Sequence, residues 1–264
     1  MTAADIEAIR AAVVPSRFRV KAVATSIGRV VAKKQRPPRS RLRGRAIDAF
    51  AAAFGLALLR AVPSHGGSRG QEIEIERLQS LRAAGVHAPE VLHVERDFIV
   101  IAELVGANLV TLIERGGAGA FEAWRRGLAT LTDIHARGGY LSQAFARNFI
   151  ATEAGLGVID FEDDPLETMP LDSAQARDWL AYLHSTLWLL ERPAAELQAA
   201  VAIRLADEPA AVRALVEGAG RRLSPLRYLP GTRRFWGREV VGARALGALF
   251  PLPALAATTI DAAF

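Results

Sequence analysis

Apolar positions at Phe121, Trp124, Leu128, Leu131 and Ile134 recur three and four residues apart. That spacing predicts a helix of about four turns with one buried face. The N-terminal third reads differently. Residues 2–14 have a helical pattern. Residues 17–35 alternate as a β-hairpin, RFRVKAV and RVVAKKQ, around a turn at Thr25-Ser26-Ile27-Gly28. Pro37-Pro38 stops its second strand. Residues 40–59 suit a helix with one basic and one very apolar end, and the turn-rich PSHGGSRG follows. Residues 72–84 form the next helix, with Leu78 and Leu81 on one face and Gly85 closing it. Residues 90–94 and 98–103 read as strands around Arg96-Asp97. A connector at 105–108 leads into a helix from Leu109. Past the long helix, Asn148-Phe149-Ile150 and Leu156-Gly157-Val158-Ile159 form two short strands around Glu153-Ala154-Gly155. From Asp172 the chain is helical, punctuated by Pro193, Pro209, Pro225 and Pro230.

This order predicts an α+β protein of two lobes. A small β-rich lobe spans 1–103, with an insert at about 36–70, and a larger helical lobe spans 104–264. At 264 residues the chain is long enough for a sizeable core. There is no cysteine, which excludes disulfides, thiolate metal sites and cysteine nucleophiles. His65, His87, His93, His135 and His184 are too scattered for a zinc pattern, and Ser142 lacks a GxSxG context. The N-terminus lacks a secretory pattern, so a cytoplasmic location is expected. The apolar run from Ala49 to Leu59 is too short to span a bilayer, which needs about 20 residues. The C-terminal ALGALFPLPALAA, broken by Pro251 and Pro253, reads as packed core.

Charge adds an asymmetry. Residues 1–45 hold 12 Lys/Arg and two acidic residues, so the excess that gives the chain its net +5 is a basic N-terminal segment. It can attract phosphates, anionic lipid or nucleic acid, or simply be a solvated edge. No aromatic residue lies between Arg19 and Phe50, so single-stranded nucleic acid is not an expected partner. The insert can lie on a membrane through residues 36–60, clamp a partner, or pack as a helix on the small lobe.

The chemistry concentrates in HARGGYLSQAFARNFIATEAGLGVIDFEDDP, residues 135–165. Asp160 ends the buried-looking strand GVID, where a carboxylate is costly unless it is paired or binds a metal. Asn148, twelve residues earlier across the hairpin, offers a neutral hard oxygen suited to a divalent cation, or to local backbone. Among Glu72, Glu74 and Glu76, only Glu74 shares the face of Leu78 and Leu81, and an inward glutamate needs a cation.

With His135, Gly138, Asn148 and Asp160-Phe161 in register, this stretch resembles the catalytic core of the protein-kinase-like superfamily. The likeness is to its small bacterial branch: lipopolysaccharide-core and Kdo kinases, aminoglycoside phosphotransferases and small atypical Ser/Thr kinases. The resemblance implies a bilobal kinase-like fold with Mg-ATP between the lobes. Asn148 and Asp160 would hold Mg2+, and Lys34 of Val31-Ala32-Lys33-Lys34 would hold phosphate with Glu74 as its partner. Glu103 would end the strand beside the adenine edge, and His135 would close the helix before the catalytic loop. The acceptor would be a hydroxyl on a sugar, lipid, protein or small molecule. Gln143 stands where the family has its catalytic Asp, and it can orient a hydroxyl but not take its proton. Nearby Arg147 can bind a phosphate or form a structural ion pair. Glu162, Asp163 and Asp164 are substitute bases or, more simply, an exposed acidic turn. The chain also lacks G-x-G-x-x-G between 17 and 35, and about 38 residues separate Lys34 from the Glu74 helix. Two functions follow, an atypical ATP-dependent kinase or a pseudokinase that binds and regulates a partner.

Overall fold

The computed structural model describes residues 1–37 and 41–252. The chain is α+β, with a small antiparallel sheet and a larger helical part. Helix α1 (Ala3–Val13) precedes the hairpin of β1 (Val20–Thr25) and β2 (Gly28–Lys34). Thr2 caps α1: its hydroxyl accepts from the Asp5 amide, while the Asp5 carboxylate accepts from the Thr2 amide. Helix α2 (Arg41–Ala53) and a 3-10 turn at Ala57–Leu59 lead to α3 (Gly67–Ala83), then β3 (Val91–Val94) and β4 (Phe98–Ala102). The sheet order is β1-β2-β4-β3, all antiparallel.

Strand periodicity sorts this sheet into two faces. Val30, Ala32, Phe98 and Val100 pack with Ile9 and Val13 of α1 in one cluster. Ile99 and Ile101 pack on the other side with Leu78 and Leu81 of α3, in the main core. A residue's parity on β2 therefore decides whether it meets α1 or α3.

The remainder is mostly helical. Short β5 (Ala107–Asn108), β6 (Phe149–Thr152) and β7 (Gly155–Val158) form a second antiparallel sheet. Helices α4 (Leu109–Glu114), α5 (Gly117–Ala136), α6 (Leu171–Thr186), α7 (Ala194–Leu205), α8 (Ala210–Leu223) and α9 (Arg233–Leu249) surround a core that contains Trp124, Phe149, Trp179 and Tyr182. Helices α5 and α6 lie close at Gly127, where an added Cβ would fall 1.9 Å from the Tyr182 hydroxyl oxygen. At the far end Phe250 is buried, against Gly220 of α8. The packed-core expectation for this end therefore holds as far as Leu252, while Pro253 onward, like Pro38, lies outside the described residues.

The connector expected at 105–108 holds the short strand β5, and two boundaries in the insert also differ from the sequence reading. The predicted helix over 40–59 ends at Ala53, because Gly55 takes a left-handed conformation (φ +63) and turns the chain. Helix α3 begins at Gly67, earlier than the expected residue 72, so the glycines of GGSRG are partly helical. The insert's apolar end also packs elsewhere than expected. Leu56 and Leu58 join the core of the helical part, and the Arg177 guanidinium of α6 donates to the carbonyls of Leu58 (2.9 Å) and Arg60 (2.8 Å). Arg222 of α8 donates to the Gly55 carbonyl. The insert thus covers the helical part, not the small sheet. No described helix is long and apolar enough to cross a membrane.

Candidate functional site

The lysine that reaches Glu74 is Lys33, not Lys34. Val31 and Lys33 share the β2 face toward α3, and the Lys33 ammonium is ion-paired with Glu74. Lys34 lies on the Ala32 face, which α1 covers, and donates to the carbonyls of Val14 (2.9 Å) and Ser16 (2.6 Å). There it neutralises the carbonyl end of α1. Helix α1 buries that face, Ala32 included. Glu74 is buried as its helical position required, while Glu72 and Glu76 are exposed.

Lys33 also lies 3.3 Å from Asp160 and 3.3 Å from Glu162. Glu162, in turn, pairs with Arg19 and with Arg36 (2.7 Å). Three carboxylates and three cations therefore share one cleft between β2, α3 and the segment after β7. Burial works against the charge on Lys33, and Glu74, Asp160 and Glu162 more than offset it, so its pKa lies above the ordinary lysine value. Oxygens of the three carboxylates lie within 4.8 Å of one another, a grouping able to hold a cation. The Lys33 ammonium sits among all three. A metal would fit most readily on the outer side, where the Asp160 side chain is 34% exposed.

The β6–β7 hairpin delivers Asp160. Phe149 pairs with Val158, and the Ile159 amide donates to the Asn148 carbonyl (2.9 Å). Asn148 thus lies opposite the residue before Asp160. Its side-chain amide donates to the Gln143 carbonyl (2.9 Å) and fixes the preceding loop. Among the described residues only Ser142 (φ 68) and Asp160 (φ 74) are non-glycines with positive φ. Such conformations are held by surrounding structure and cluster at functional sites.

Beneath the loop is a buried charge network. His135 closes α5, and its Nδ1 lies 2.7 Å from Glu208, its Nε2 3.6 Å from Asp178. Asp178 of α6 accepts from the Leu141 amide (2.5 Å) and Glu208 from the Trp179 indole (2.8 Å). Burial opposes charging His135, but the two carboxylates outweigh it and raise its pKa. Neither Asp178 nor Glu208 was singled out in the sequence, since their partners lie 37 and 29 or more residues away.

The acidic turn is not exposed. Glu162 and Asp163 are 6% and 3% exposed, and Asp164 caps the next 3-10 turn and accepts from Tyr140 (2.8 Å). Adjacent residues face opposite ways: Glu162 meets Lys33, while Asp163 accepts from the Gln143 side chain (2.5 Å). Burial raises the Asp163 pKa, against a Ser64 hydrogen bond, the Arg36 charge and the Gln143 amide. Beyond Gln143 and Asp163 lies a cavity of about 610 Å³ between the insert and helices α6 and α9.

Two further residues stand apart. Arg147 is exposed, with its guanidinium 4.4 Å from the centre of the Phe145 ring. Glu103 is ion-paired with Arg29 (2.9 Å). Neither joins the cleft cluster. Compared with known proteins, the chain matches no family model and no curated sequence.

Proposed function

We propose that the protein is a kinase-like, bilobal nucleotide-binding protein that takes Mg-ATP into the cleft between its sheet and its helical part. The observation that carries this reading is Lys33. A strand lysine, paired with an inward helix glutamate, sits 3.3 Å from the Asp160 carboxylate, two residues past the end of β7 in the other part. Lys33 would hold phosphate oxygens, with Glu74 keeping it aimed. Asp160 and Asn148 would hold Mg2+, which neutralises the triphosphate charge when bound. Transfer to a hydroxyl would proceed without an Asp at position 143. A second reading, a pseudokinase that regulates a partner, is favoured by one residue: Gln143 has no useful basicity.

Thermal unfolding with and without Mg-ATP tests the assignment in the wild type and in Asp160→Ala. At about 100 times its Kd the ligand should stabilise the wild type by about 2.7 kcal/mol. The shift should vanish in the variant. A wild type that does not respond removes both nucleotide readings, and a response without ATP turnover selects the pseudokinase.

A further inference from the structure

Resting on that nucleotide reading, we propose that the 610 Å³ cavity is the acceptor site, that it receives an alcohol carried on an apolar body, and that Asp163 is the base that takes the hydroxyl proton. The volume is that of a small-molecule site, largely apolar with a few placed polar groups. Ile47, Phe50, Val62, Leu180, Leu226 and Leu246 supply the apolar wall. Two of the polar lining groups are already committed to backbone: Arg177 to the Leu58 and Arg60 carbonyls, and His184 Nε2 to the Glu239 carbonyl (3.0 Å). The loop side differs. Ser142, 4% exposed and in a left-handed conformation, lines the cavity, and its buried Oγ has no hydrogen-bond partner among the described residues. Beside it are Gln143 and Asp163, joined side chain to side chain. A hydroxyl arriving there would find a carboxylate to accept its proton and Ser142 to partner its oxygen.

This arrangement returns a carboxylate to the place that Gln143 vacates. Asp163 is three residues past Asp160, so one short segment carries both the cleft carboxylate and the cavity carboxylate. In the transfer step, Asp163 accepts the hydroxyl proton while the alcohol oxygen bonds to the γ-phosphorus of the nucleoside triphosphate. The bond from that phosphorus to the bridging oxygen breaks, and the diphosphate leaves with the electron pair. The proton on Asp163 then passes to water.

The test uses n-decanol as probe and n-decyl methyl ether as the control without a hydroxyl donor. Calorimetry should show decanol binding to the wild type without nucleotide, and weaker binding of the ether. Ala181→Trp and Ala243→Trp each fill the cavity from a different helix, and either folded variant should lose decanol binding but keep the Mg-ATP shift. With Mg-ATP, phosphorus NMR should detect decyl phosphate, and Asp163→Asn should lower its rate about 100- to 10,000-fold while decanol binding persists. No decanol binding by the wild type overturns the acceptor site. Turnover retained in Asp163→Asn, or no decyl phosphate with both ligands bound, overturns the base. Decanol binding without any Mg-ATP shift fails the nucleotide reading, and the transfer step with it, while the apolar-ligand site stands.

Discussion

Lys33 and Lys34 are neighbours on one strand and meet opposite surroundings, so their substitutions separate two kinds of loss. Lys33→Met leaves Glu74 buried without its closest cation, a loss of about 3–5 kcal/mol. Lys34→Met removes hydrogen bonds to two carbonyls near the surface, a loss of about 1 kcal/mol. Urea unfolding should separate the two, and Glu74→Leu should restore part of the stability of Lys33→Met. Equal losses in the two single variants would sink the assignment of Lys33 to the cleft. The sequence allowed half of this reading. Glu74 was legible because helical spacing from Leu78 and Leu81 fixes its direction without outside help. The lysine was not, because alternation separates Lys33 from Lys34 without saying which side α1 covers. Glu162 and Asp163 look like a surface turn for a related reason: their partners, Arg19, Arg36 and Gln143, are brought in only by folding.

At the scale of elements, the loop that carries Ser142 and Gln143 rests on the joint of α5 with α6. His135 at the end of α5 and Asp178 within α6 are the contacts that make the joint electrostatic. The raised His135 pKa fixes the sign of its pH dependence. Its contribution is whole below the unfolded histidine pKa of about 6.5, and it is lost as pH rises through the higher folded value. Wild-type stability should therefore fall on the alkaline side of pH 6.5, and His135→Gln should flatten that fall. Stability–pH curves of the two proteins check it, and parallel slopes would rule out His135 as the titrating group. The long helix and the three hairpins were legible from periodicity, whereas short β5, read as a connector, and the pairings of β5 with β6 and of β2 with β4 were not. The end of α2 was misplaced because an apolar run hides a glycine whose left-handed turn is a backbone event, silent in hydropathy.

For the whole molecule, the insert is the element that sequence placed least well. Of the placements expected for it, packing on the small lobe is the one that the structure corrects: Leu56 and Leu58 complete the helical core instead. Leu58→Ala should therefore cost about 2–5 kcal/mol in solution, with no lipid present. Denaturant unfolding measures it, and an unchanged midpoint would return the insert to the surface. The cavity was invisible in sequence because its walls come from chain segments more than 100 residues apart. The peptide unit between Glu162 and Asp163 is part of the wall between cavity and cleft, with the Glu162 side chain on the cleft side and the Asp163 side chain on the cavity side. A shared wall makes the two compartments thermodynamic neighbours. If an occupant of one displaces that peptide unit, it changes affinity in the other, and linkage requires the same factor in return. Order of filling would then be a property of two adjacent residues, readable as a binding constant that depends on what lies across the wall.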